Sequence, residues 1–63
     1  MIYVAINKNG DEHMFDIRPK RNVRLSTWEI YDGWSQNIKL PKGTIKKLIG
    51  RDLTWEDNYI EIK

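Results

Sequence analysis

Ile2-Tyr3-Val4-Ala5-Ile6-Asn7-Lys8-Asn9-Gly10-Asp11-Glu12-His13-Met14-Phe15-Asp16-Ile17 decides the fold. Residues 2–6 are β-branched and aromatic, as strands prefer. Side chains alternate across a strand, so Ile2, Val4 and Ile6 share one face and Tyr3 and Ala5 the other. Asn7 to Gly10 is a turn signal, because the Asn9-Gly10 pair supplies positions that tolerate positive φ. His13 to Ile17 alternates again, with His13, Phe15 and Ile17 on one face and Met14 and Asp16 on the other. The stretch predicts two strands joined by a hairpin turn.

Beyond the hairpin the signals are shorter. Arg18-Pro19-Lys20-Arg21-Asn22-Val23-Arg24 reads as a basic loop, since Pro19 lacks a donor and turns Arg18 away from helix. Leu25 to Tyr31 reads as a third strand, with Trp28 and Ile30 on one face and Glu29 and Tyr31 on the other. Asp32-Gly33 is a turn, and Ile38 to Leu40 a short strand. Thr44 is placed to cap a helix in which Ile45, Leu48 and Ile49 form an apolar stripe. Gly50 stops that helix. Leu53 and Trp55 anchor the loop that follows, and Tyr59 to Ile62 alternates as a last strand with Ile60 and Ile62 inward. The order β-β-β-(β)-α-β predicts one α+β domain over residues 1–63. It is a mainly antiparallel sheet of three to five strands with one short helix. The expected core is Val4, Ile6, Phe15, Ile17, Trp28, Ile30, Ile45, Leu48, Ile49, Trp55, Ile60 and Ile62. The chain begins at Met1 and ends in an expected strand, so it reads as a complete small product.

A chain of 63 residues hides only about 60% of the surface its unfolded form exposes. With no cysteine, neither a disulfide nor a thiolate metal site can reinforce it. Seven aromatic residues provide large areas for packing instead. One histidine cannot build a structural zinc site alone, so no metal or other cofactor is expected. The four glycines are too dispersed for a phosphate-cradling loop, and Ser26 and Ser35 lack a nucleophile-elbow pattern. No apolar run reaches the roughly 20 residues of a membrane helix, and no signal peptide is visible. These features point away from enzymes and membranes. The lack of cysteine fits a reducing cytoplasm.

Charge is distributed unevenly. Residues 18–51 hold nine Lys or Arg against two acids, a net of +7. Residues 1–17 carry −2 and residues 52–63 carry −3, which brings the total to +2. A segregated field can attract a polyanion or an acidic protein when the net charge alone would not. The candidate binding residues are Arg18, Lys20, Arg21, Arg24, Tyr31, Trp34, Lys47 and Arg51. Phosphates would release counterions at the cations, and Tyr31 and Trp34 could stack on unpaired bases. The same aromatic and arginine side chains suit a protein interface. Trp34 equally fits the edge of a small core. Exposed sheet edges leave self-association open as well.

Leu40-Pro41-Lys42-Gly43-Thr44-Ile45-Lys46-Lys47-Leu48-Ile49-Gly50-Arg51-Asp52-Leu53-Thr54-Trp55-Glu56-Asp57 resembles segments of small accessory proteins encoded by tailed bacteriophages or prophages. Ile2-Tyr3-Val4-Ala5 followed by Lys8-Asn9-Gly10-Asp11 has a similar character. The resemblance implies action in a bacterial host cytoplasm. It also implies a non-catalytic protein that binds and modulates or inhibits a host macromolecule, foremost a host protein. A small basic nucleic-acid binder is the alternative.

Overall fold

Packing on both faces of one sheet organises the molecule. The computed structural model describes residues 2–31 and 37–63. Its strands are β1 (Ile2–Ile6), β2 (Glu12–Phe15), β3 (Lys20–Asn22), β4 (Thr27–Glu29), β5 (Asn37–Leu40) and β6 (Ile60–Ile62), with helix α1 (Thr44–Ile49) between β5 and β6. Four strands form an antiparallel sheet in the order β5-β2-β1-β6, and β3 and β4 form a separate hairpin. The fold is the α+β class expected, with one short helix and a four-stranded main sheet.

Register explains the two cores. Val4 lies opposite Met14 and Ile60, and Tyr3 opposite Phe15 and Glu61. The even-numbered face carries Val4, Ile6, Met14, Leu40, Ile60 and Ile62, which pack with Ile45, Ile49 and Leu53. The odd-numbered face carries Tyr3, Ala5 and Phe15, which pack with Trp28, Ile30, Trp55 and Tyr59. Helix α1 therefore covers one face and the β3–β4 hairpin the other.

The turn after β1 forms as its residues dictate. Gly10 takes φ +94°, and the Asp11 amide donates to Asn9 Oδ1 at 2.9 Å. Asn7 is buried and joins the two hairpins, its Oδ1 accepting the Trp28 amide at 2.9 Å. The Trp28 indole donates to the Ile6 carbonyl at 3.0 Å, and the Lys8 amide to the Ser26 carbonyl at 3.2 Å.

Three expectations are corrected. Residues 20–22 are not loop: they pair as β3 with Thr27–Glu29, and residues 23–26 form the turn. Leu48 leaves the stripe and is exposed, whereas Tyr3, Ala5 and Leu53 are core. Thr44 does not cap α1, since its hydroxyl donates back to the Pro41 carbonyl at 2.6 Å. The cap comes from β2 instead. Buried Glu12 accepts the Gly43 amide on Oε2 at 2.6 Å and the Ile45 amide on Oε1 at 2.8 Å. A carboxylate at a helix start satisfies orphan donors and suits the dipole. The Asp32-Gly33 turn and Trp34 lie outside the described residues.

Candidate functional site

The cations that the sequence segregates lie among carboxylates and rings once the chain folds. Arg21, on β3, places its guanidinium carbon 4.8 Å from the Trp28 ring centre and 4.9 Å from that of Trp55. It also donates to the Asp57 carbonyl at 2.7 Å. Trp28 and Trp55 meet edge to face at 6.1 Å, and Tyr59 closes on Trp28 at 6.0 Å. Arg21 thus caps the odd-face core. Arg51 approaches Asp57 Oδ2 at 3.8 Å, Lys46 approaches Asp52 at 3.8 Å, and Lys39 approaches Asp11 at 3.7 Å. The Tyr3 hydroxyl, then Tyr59 and, least, Glu61 hold the Arg18 guanidinium pKa above its usual value.

Asp57 organises this neighbourhood. Its Oδ2 accepts the Thr54 amide at 2.9 Å and the Thr54 hydroxyl at 3.2 Å. These bonds, with the charges of Arg51 and Arg21, lower its pKa below the ordinary carboxylate value. Of the sequence-derived candidates, Arg18, Arg21 and Arg51 converge on the segment 55–61. Lys47 sits on α1, across the sheet from the hairpin, so the cations do not form one patch.

The hairpin presents a different surface. Glu29 on β4 accepts from Asn22 Nδ2 at 3.2 Å and from the Tyr31 hydroxyl at 2.9 Å. The Asn22 bond, then that of Tyr31, keeps the Glu29 pKa below its usual range, and Glu29 in turn raises that of Tyr31. Lys20 lies opposite Glu29 across the strands and 5.9 Å from the Tyr31 ring centre. Tyr31 is 63% exposed. At the tip, Val23 is 74% and Leu25 59% exposed. Between them stands exposed Arg24, whose side chain has no ion pair or hydrogen bond among the described residues. The tip is held in shape: Asn22 Oδ1 accepts the Leu25 amide at 3.0 Å, and Ser26 takes φ +58°.

Sequence reasoning assigned Leu25 to a strand and Val23 to a loop, and did not place both exposed in one hairpin turn. The available signal was Asn22, whose side chain favours a local turn just before an apolar-basic-apolar triplet. Among the described residues no three His, Asp or Glu side chains are grouped to hold a metal ion, and no helix is long and apolar enough to cross a membrane. The chain matches no known protein-family model, no curated protein and no solved structure.

Proposed function

We propose that this chain is a non-catalytic binding protein that docks on a partner protein through the tip of the β3–β4 hairpin. The observation that carries the reading is the turn that exposes Val23 and Leu25 on either side of Arg24, whose side chain has no partner among the described residues. Apolar side chains exposed on a turn release their hydration on binding, and the Asn22–Leu25 hydrogen bond already orders part of that turn. Tyr31 extends the surface along the hairpin, and Lys20 and Arg24 steer an acidic partner toward it. The phage setting implied by the resemblance makes the partner a host protein in the bacterial cytoplasm, modulated or inhibited by occlusion.

Nucleic acid is the weaker reading. The helix cations and the hairpin cations lie on opposite faces of the sheet. Three of the middle-segment cations already face carboxylates. Capture from nuclease-treated bacterial lysate tests the proposal, with native chain beside Leu25→Asp. The expected result is a stoichiometric protein that survives nuclease and is lost with the variant. A partner retained equally by Leu25→Asp, or one lost with nuclease, overturns it.

A further inference from the structure

The strand β5 ends the main sheet, and among the described residues no strand pairs with its outer edge. Natural edges are shielded by charge, proline, bulges or cover. Asn37-Ile38-Lys39-Leu40 pairs with β2 in unbroken register, contains no proline, and carries a single charge, Lys39, which is exposed and 3.7 Å from Asp11. Ile38 is 47% exposed, and it stands beside Met14 on the helix side of the sheet. Ile2, 42% exposed, is close by. Together with Phe15 and Asp16 these residues line an open groove of about 210 Å³ with little polar surface. The opposite edge, β6, differs: all three of its side chains are half-buried.

We infer that β5 is a self-pairing edge, and that two copies of this chain join there into one continuous eight-stranded sheet. A two-fold axis perpendicular to the sheet keeps each face on its own side. Residues that lie opposite each other must then share a face. Two registers centred on the interior of β5 satisfy this. One sets Lys39 against Lys39, which opposes like charges. The other sets Ile38 against Ile38 and Asn37 against Lys39, with no like charges opposed. The second register brings the two Ile38 side chains together, each beside Met14 and near Ile2, to form a single apolar stripe across the axis. It also makes a closed dimer, the commonest symmetry of soluble oligomers. The hairpins lie on the other face of the sheet, so a dimer would present two docking tips and gain affinity by bivalency. The inference stands on a surface separate from the hairpin tip and holds or fails independently of it.

Sedimentation velocity over a wide concentration range, with circular dichroism as a fold control, provides the test. The native chain is expected to pass from monomer to dimer mass and no further. Ile38→Lys, at an exposed position, is expected to stay monomeric over the same range. Because the chain has no cysteine, Ile38→Cys adds a lone thiol next to its own symmetry mate. It should form a disulfide dimer under mild oxidation faster than Val23→Cys at the hairpin tip. The inference is overturned by a native chain that remains monomeric throughout or grows beyond a dimer. It is equally overturned by a dimer indifferent to Ile38→Lys, or by Ile38→Cys cross-linking no faster than Val23→Cys.

Discussion

Replacing Glu12 by alanine removes two acceptors at once, leaving the Gly43 and Ile45 amides without partners at the start of α1. Orphaning a buried polar group costs about 1–3 kcal/mol. A chain of this length has roughly 3–9 kcal/mol in all, so Glu12→Ala should lower the urea midpoint clearly. Glu12→Gln keeps one carbonyl acceptor and should fall between the two. Equal midpoints for all three chains would remove Glu12 from the account. Asp57 and Glu29 set the acid response. Both have lowered folded-state pKa values, so the stability they add is present above their unfolded values, 3.8 and 4.5. It is lost as pH falls through the lower folded values. Carboxyl NMR titration should place both midpoints below those references; a midpoint at or above its reference contradicts the assigned hydrogen bonds.

At the scale of elements, the β3–β4 hairpin stands on Trp28 and on Arg21. Arg21→Ala withdraws the guanidinium from between Trp28 and Trp55. The expected loss is about 1–2 kcal/mol, the range of a partly desolvated cation–π contact, with a change in tryptophan fluorescence. Arg21→Lys should recover only part, because a compact ammonium lacks the flat face that covers two rings. An unchanged melt for Arg21→Ala would show that the contact does not support the fold. The β1–β2 hairpin was legible in the sequence because alternation and the Asn9-Gly10 turn agree. Strand β3 was not. Lys20-Arg21-Asn22 has no apolar member, and Arg21 faces the core only through its flat guanidinium, so a periodicity of apolar residues cannot detect it. The helix was legible as an element but not its cap, since the acceptor comes from Glu12, 31 residues before Gly43. Leu48 fits the helical stripe by spacing. A helix of six residues buries only Ile45 fully, with Ile49 packed against the core, so the strip it covers is narrower than that spacing assumes.

For the whole molecule, the charge segregated along the chain becomes interleaved in space. Arg18, Arg21 and Arg51 gather at the acidic segment 55–61, and Lys46 and Lys39 meet Asp52 and Asp11. Lys39 with Asp11 and Arg21 with Asp57 meet only through the fold, while Lys46–Asp52 and Arg51–Asp57 lie six residues apart across a segment boundary, so a sum of charge by segment does not show either kind of pairing. Val23, Leu25 and Tyr31 contribute little to the core, so Val23→Asp and Leu25→Asp should shift stability by no more than about 0.5 kcal/mol while removing partner binding. A large loss of stability in either variant would make the tip structural and not a docking surface. The most direct measurement is site-specific photo-crosslinking in bacterial cells, with the reactive group at Leu25 in one chain and at Lys47 on α1 in another. The account expects a discrete protein adduct from position 25 and none from position 47. Adducts from position 47 alone, or nucleic acid in place of protein at position 25, would contradict it.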